Sequence, residues 1–549
     1  MPHTASSRTR KLRSLTLPSA LFALAATGCA AEAPPEELVA QEGKVGAITY
    51  EEFRERYAVY DRNEDVWFVE WDLRLHGEAE LRAYYEDHYA PSGGLTVSRN
   101  SSGADDVWSR SNKHNITFCV SRSSFGSSYS AVVVGMLRAA SAWENVANVR
   151  FIHDSTQDDN CTDTNTAVKF NVRQVPAGRC SAFLPSWVRS KRFLAVDVNV
   201  CGDASRAAVG VLMHELGHVL GFRHEHIRTA PIRSACWESE PPFSRAVTAY
   251  DPASVMHYQG CPNSTNFGPW FITELDIQGA QALYEAPTNV MDTFDNQLYV
   301  RRRSNGALVK RNSNSTFSTV GGTARAFVAA GVDLYLLAGD STPDAATQVQ
   351  RYNGSGTSWS LVPSDGTIRR IFKCNFNLCA VKANGTVHRL TGSTWAPIGP
   401  TGFVGTRFVS TGGGSIFGLD SFQDTAVGLG TGIGLQDIGG GGFGELVTNE
   451  FNLFGIDRDR AGIYRYSGSG TTWSSSLGSP GRQLHGVGDK LYLLVGTTAK
   501  EYDGSTFRNI DTATARFYGN YGLYVTDSRN LDDLWSRING GWWYLGQVP

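Results

Sequence analysis

HELGHVLGFRHEH, residues 214–226, places four histidines in thirteen positions, and its reading decides the middle third of this 549-residue chain. Helical residues four apart share a face, so His214 and His218 present two imidazoles to one point, with Glu215 beside them. Val209, Leu212, Met213, Leu216 and Leu220 recur at helical spacing and mark the side turned to a core. Asp203 is the expected N-cap. Gly217 leaves room for another element against the helix. Gly221 lets the chain leave it through a left-handed conformation. His224 can then return as a third nitrogen. Three neutral imidazoles leave one tetrahedral position open for water, as a hydrolytic zinc site requires, so Zn2+ is the expected cofactor. A helix with two solvated histidines would account for HExxH alone, but not for the continuation HExxHxxGxxH. His226 is expected at the surface and His257 turned away from the metal.

Working outward, residues 108–286 have mixed helix and strand character. NITFCVS (115–121), VRFIH (149–153) and RFLAVDVNV (192–200) read as strands. SSYSAVVVGMLRAASAWENVA (127–147) reads as a helix with Val133, Leu137, Ala140 and Trp143 on one side. TELDIQGAQALYE (273–285) reads as a last helix. Downstream of the histidines lies SVMHY, 254–258.

Together, HELGHVLGFRHEH and SVMHY resemble the metzincin clan of zinc endopeptidases, and within it the astacin family, through Phe222 and Glu225. The resemblance covers about residues 108–286 and implies an α+β protease domain. It implies His214, His218 and His224 as zinc ligands and Glu215 as general base. Tyr258 would be a switchable ligand that hydrogen-bonds the oxyanion, and Met256 the methionine beneath the metal. Glu225 would help anchor a mature N-terminus. Arg228 also fits, but TAPIRSAC (229–236) lacks the acidic residue that usually follows. The strand before the active helix would be the edge that pairs with extended substrate. FVEWD (68–72) is the nearest analogue of the family's aspartate latch, which makes Asp72 a candidate latency switch or a plain surface aspartate.

From about residue 290 the grain changes. Helical periodicity stops and a unit recurs, as in VQRYNGSGTSWSLV (349–362), VHRLTGSTWAPIG (387–399) and IYRYSGSGTTWSSS (463–476). Its aromatics are Phe317, Trp359, Trp395, Trp473, Phe507 and Trp543, spaced 42, 36, 78, 34 and 36 residues apart. The double gap hides one degenerate repeat in the Gly-rich stretch around 428–445. Seven all-strand repeats of this length predict a seven-bladed β-propeller, against a sandwich pair or a solenoid. The module loosely resembles tectonin-like and lectin-like propellers.

At the other end, Arg8, Arg10, Lys11 and Arg13 precede the apolar LTLPSALFALAA (15–26), which is too short to span a bilayer. ATGC follows and resembles a lipobox ending at Cys29, with Ala26 where leucine is usual; an ordinary secretory signal is the alternative. Residues 30–48 read as a tether. Residues 49–90 read as a small ordered segment ahead of an exposed linker, either a propeptide or a plain extension. Eight cysteines besides Cys29 imply disulfides in an exported protein, with Cys374–Cys379 and Cys236–Cys261 the nearest pairs. A net charge of −3 without a basic stripe excludes a nucleic-acid partner.

The organisation read from sequence is therefore a signal at 1–29, tether and possible propeptide at 30–107, a zinc metalloprotease domain at 108–288 and a β-repeat domain at 289–549. The expected function is an exported endopeptidase, at the outer membrane or cell surface if Cys29 is lipidated, otherwise periplasmic or secreted. Its partners would be a protein or peptide substrate and a glycan or protein ligand of the propeller. Membrane contact would come only through lipid on Cys29. The alternative is a surface adhesin or lectin-like binder with a vestigial protease domain.

Overall fold

Apolar segments ahead of the histidine motif build one parallel sheet, and the helices that flank it carry the site. The computed structural model describes residues 54, 58–61, 66–69, 73–88 and 97–548, apart from 101, 176–177, 203, 227–243, 262–263, 265–269, 340–346, 401–402, 404, 421–425 and 430–435. Cys29, Asp72, Arg228 and Cys236 lie outside the described residues, and so does Asp203. Among the described residues no helix is long and apolar enough to cross a membrane.

An antiparallel meander comes first: β1 (Ala58–Asp61), β2 (Val66–Val69) and β3 (Leu73–His76), followed by α1 (Gly77–His88). Val69, Leu73, Leu75 and Leu81 bury themselves with Leu184, so this segment is docked on the domain that follows. Strand β4 (Val97–Ser98) pairs with β9 (Ser244–Arg245). Between them β5 (Ile116–Val120), β6 (Phe151–His153), β7 (Phe170–Gln174) and β8 (Phe193–Val196) form a sheet in the order β6-β5-β7-β8, every pair parallel. Continuously apolar strands of this kind suit a sheet covered on both faces.

Helices α2 (Tyr129–Glu144) and α3 (Arg206–Val219) pack on each other over this sheet, and α4 (Glu274–Tyr284) closes the domain. The buried face of α2 is Val132, Met136, Ala139 and Trp143; Val133 is only partly buried and Leu137 is exposed. Of the expected face Ala140 and Trp143 are buried, but its first half was one residue out of phase, because a run of three valines satisfies either register. The last expected strand also stops early. Val198–Cys201 is a single helical turn whose cap is Asp197, which accepts the Asn199 N–H. The outer edge of β8 is already used: Ala195 exchanges both backbone bonds with Ser181 (3.1 and 2.9 Å). The Cys180–Cys201 disulfide holds that segment in place, and Cys119–Cys161 pins β5 from the other side.

Among the described residues, 290–547 form seven successive sheets of antiparallel strands in sequence order, six with four strands and one, at 443–465, with three. We label them I (290–323), II (326–362), III (368–398), IV (405–439), V (443–465), VI (483–511) and VII (514–547). The Gly-rich stretch that concealed a repeat contributes the last two strands of sheet IV and the start of sheet V. The recurring aromatics sit on the last segment of a sheet and stitch it to its predecessor. Trp359 Nε1 donates to Val320 O (2.7 Å), Trp395 to Pro363 O (3.0 Å) and Trp473 to Ile438 O (2.8 Å). In sheet VII the donor is Trp542, to Ile510 O (3.2 Å), while Trp543 is 60% exposed. Trp543 therefore does not close the series; its neighbour does, because alternate strand residues face opposite sides. Sheet VII packs on sheet I: Tyr518, Leu534 and Val548 share a core with Val290, Val300 and Val309. Buried Asp292 accepts the backbone N–H groups of Asn520 and Gly522 across this seam (2.6 and 2.7 Å). Cys374–Cys379 closes the hairpin of sheet III; Cys261 is also disulfide-bonded.

All seven sheets touch the α/β domain, six of them at or near the start of their first strands and sheet I through the turn after its second. Arg303 Nε of sheet I meets His114 (3.4 Å), Arg325 before sheet II meets Gln278 O (3.3 Å), and Arg370 of sheet III pairs with Glu274. Thr406 of sheet IV also donates to Glu274 (3.2 Å), and Gly442 O before sheet V accepts from Arg206 (2.7 Å). Arg482 before sheet VI pairs with Glu144 (2.9 Å), and Arg516 of sheet VII donates to Glu144 O (2.8 Å).

Candidate metal centre

Helix α3 begins at Ser205, whose hydroxyl accepts the Ala208 N–H. Its helical spacing buries Val209, Leu212, Met213, Leu216 and Leu220 in the core as well as His214, Glu215 and His218. It ends in a Schellman turn: Gly221 N–H donates to His218 O (2.8 Å) and Phe222 N–H to Gly217 O (2.9 Å). Gly221 has φ +94°, and a Cβ there would stand 2.1 Å from Asp106 O. Both properties demand glycine. The turn reverses the chain, Trp143 stacks on Phe222 at 5.4 Å, and His224 comes back over the helix.

Three nitrogens then meet. His214 Nε2 and His218 Nε2 each lie 3.2 Å from His224 Nε2, and all three rings are fully buried. His214 Nδ1 donates to Val255 O (2.7 Å) and His218 Nδ1 to Phe222 O (2.8 Å). With Nδ1 of both rings donating to a carbonyl, Nε2 is the atom each ring has left to offer as a lone pair towards His224. Lone pairs repel, so the cluster calls for a shared cation. A tetrahedral Zn–N distance of about 2.0–2.1 Å separates nitrogen ligands by roughly 3.3 Å, which matches this spacing. Carbonyls fixing the outer nitrogens are the outer-shell arrangement of metal-bound histidines. Among the described residues this is the one trio of His, Cys, Asp or Glu side chains with ligand atoms all within 4.8 Å.

The floor is built from the SVMHY turn. A Cβ on Gly217 would lie 2.4 Å from Met256 Sδ, so the approaching element that this glycine admits is Met256 itself. Glu225 N–H donates to Met256 O (2.9 Å), and Glu225 Oε1 accepts the Asp251 N–H (2.7 Å). Tyr258 is half-buried, with its ring 4.4 Å from His224 and 5.4 Å from His214. Trp270 stacks on His214 at 4.7 Å. Glu215, next to His214 in the helix, is also buried. His226 corrects its expectation of a surface position: it is fully buried, stacks on His224 and Tyr258, and its Nδ1 accepts the Tyr258 N–H (3.3 Å). His257 and Tyr258 of the SVMHY turn cover it. His257 is held by Tyr258 O and the Tyr250 hydroxyl, and burial lowers its pKa to about 4.

Sequence reasoning missed the carboxylates that hold this turn. Asp276 accepts the Ser254 hydroxyl (2.5 Å), the Val255 N–H and the Thr273 N–H (both 2.9 Å). Asp251 accepts the Thr273 hydroxyl (2.5 Å). Burial raises both acids, Asp251 to about 7 with Asp276 adding to the effect. The available signal was the capping-box spacing Thr273-x-x-Asp276, which marks a helix start but not a second duty beneath the histidines.

Residues 101–239 match the family described as dual-action HEIGH metallo-peptidase. Its five letters differ from His214–His218 only at Leu216. The chain is 30% identical over 186 residues to zinc metalloproteinase nas-3 of Caenorhabditis elegans. That match covers 31% of this chain and 60% of the nematode protein's length. Among solved structures, myroilysin aligns over 35% of this chain and 98% of its own at 18% identity and a TM-score of 0.26. Virginiamycin B lyase of Staphylococcus aureus aligns over 44% of this chain and 92% of its own at 10% identity and a TM-score of 0.32. The matched region and its histidine centre define a metallopeptidase domain. Its metal is zinc.

Proposed function

We propose that this chain is an exported zinc endopeptidase, with His214, His218 and His224 holding the metal. The observation that carries the reading is the meeting of three Nε2 atoms, two of them forced into the ligand tautomer by backbone carbonyls. When bound, zinc supplies a Lewis acid and makes water a stronger acid. Glu215 is the general base. Its carboxylate takes a proton from the attacking water and delivers it to the amine nitrogen as the peptide C–N bond breaks and the new C–O bond forms. The Tyr258 hydroxyl donates to the oxygen on which negative charge develops. Met256 and the Glu225–Asp251 bond keep the floor rigid.

The family matched over 101–239 differs from the astacins. The astacin-like assignment therefore rests on Phe222, Glu225 and SVMHY. We assign the protease domain to 108–288 and the seven sheets of 289–549 to a seven-bladed β-propeller that presents substrate or a surface partner. Export through 1–29, lipid on Cys29 and an Asp72 latch complete the reading.

The test is metal analysis together with casein cleavage by the full chain. One zinc per chain is expected, with cleavage lost about 10²–10⁴-fold in Glu215→Gln while zinc is retained. Zinc-loaded, processed protein that cuts nothing would favour the surface-binder alternative.

A further inference from the structure

The junction between the α/β domain and the sheets forms a partly open cavity with about 50 Å³ of room for water-sized centres. Arg150 lines it from the α/β domain; Arg301, Arg303, Arg482 and Arg516 line it from sheets I, VI and VII; Asp532 is the carboxylate in its wall. His114 also lines it but adds no charge at neutral pH, since burial and then Lys113 lower its pKa to about 3.

The nearby carboxylates are already engaged. Asp532 faces Arg303 at 3.4 Å, and Glu144 pairs with Arg482 at 2.9 Å. Glu285 is bound by Arg110 and Lys113, with Arg301 farther off at 3.9 Å. Glu445 pairs with Arg460. Among the described residues, Arg150 and Arg516 have no carboxylate partner. Arg516 donates only to a backbone carbonyl. Arg150 Nε and Arg301 Nε are shut off from solvent and make no hydrogen bond. Burial, with Arg482 adding to it, lowers Arg150 to about 10, so it stays cationic at neutral pH. Arg150 and Arg516 are both half-buried, and cations partly shut off from water without a carboxylate gain from an added anion.

We propose that this junction cavity binds a small multivalent oxyanion, a phosphoryl or polycarboxylate group, gripped by Arg150, Arg303 and Arg516. Planar guanidinium forks suit such oxygens, and forks converging from both sides of the junction make the bound anion a clamp between the domain and the sheets. The cavity is separate from the histidine centre and does not depend on the endopeptidase reading.

The experiment is thermal unfolding of the full chain against inorganic phosphate and, separately, succinate, at constant ionic strength with chloride as reference. We expect a saturable rise in Tm with at least one of them. The tighter of the two tells a phosphoryl from a carboxylate ligand. Arg150→Gln should weaken the effect about tenfold or more, while its Tm in chloride holds or rises because a cation without a carboxylate partner is removed. If Arg150→Gln does not fold, Arg303→Gln and equilibrium dialysis of labelled phosphate on the wild type decide the matter. No saturable binding to the wild type, or binding that neither substitution weakens, overturns the proposal.

Discussion

At the scale of single residues, the centre depends on two glycines and a methionine as much as on its histidines. Gly217→Ala would drive a methyl into Met256 Sδ. We expect a loss of about 1–3 kcal/mol in urea denaturation of the metal-free protein, the usual cost of overpacking, and a lower zinc content after purification. Asp276→Asn tests the carboxylate beneath the turn. Its two oxygens accept three donors, and an amide nitrogen cannot accept. Val255 O, which orients His214, should shift, and zinc affinity should fall about 10–100-fold in competition with a chelator. An unchanged affinity would separate Asp276 from the metal. The histidines were legible because helical spacing alone brings 214 and 218 together, and a glycine three residues on makes the return of 224 possible. Asp276 was not legible, because nothing local connects it to the histidine helix, which ends at Val219 far earlier in the chain. His226 was misread for the same reason: only the folded turn covers it.

At the scale of elements, the outer-strand tryptophans join neighbouring sheets through indole bonds to carbonyls. Trp359→Phe keeps the ring and removes the donor, leaving Val320 O without it. Its cost should be about 1 kcal/mol, read as a shift in denaturation midpoint at constant m value. Trp543→Ala, at an exposed position one residue from the true donor, should fall within about ±0.5 kcal/mol. The spacing of aromatics revealed seven repeats because each marks the same place in a sheet. It could not tell Trp542 from Trp543, since strand alternation is invisible where two tryptophans are adjacent. The phase of α2 was lost in a similar way among consecutive valines.

At the scale of the whole molecule, the two halves are held by ion pairs that cross between them. Glu285 follows α4 and joins Arg110 and Lys113 of the α/β domain with Arg301 of sheet I. Burial alone would raise its pKa, but the surrounding cations, Arg301 and Lys113 foremost, hold it down at about 2. A carboxylate depressed from about 4.5 to about 2 contributes stability that is fully present above pH 4.5 and is lost as pH falls from there towards 2. Its contribution at neutral pH is about 3 kcal/mol. Glu285→Gln should therefore lower stability at pH 7 by that order, and the gap to wild type should close between pH 4.5 and pH 2. A gap that is flat with pH would remove Glu285 from this role.

Sequence alone determined the features written in local periodicity: the helix that bears two histidines, the glycine at its end and the seven strand repeats. These follow from backbone geometry over spans of a few residues to one repeat. Tertiary structure alone decided that Met256 fills the space above Gly217, that Asp276 and Asp251 support the turn, that Ser181 occupies the edge of β8, and that arginines from several sheets converge on one cavity. Those contacts join residues tens to hundreds of positions apart, where chain packing rather than local spacing sets who meets whom.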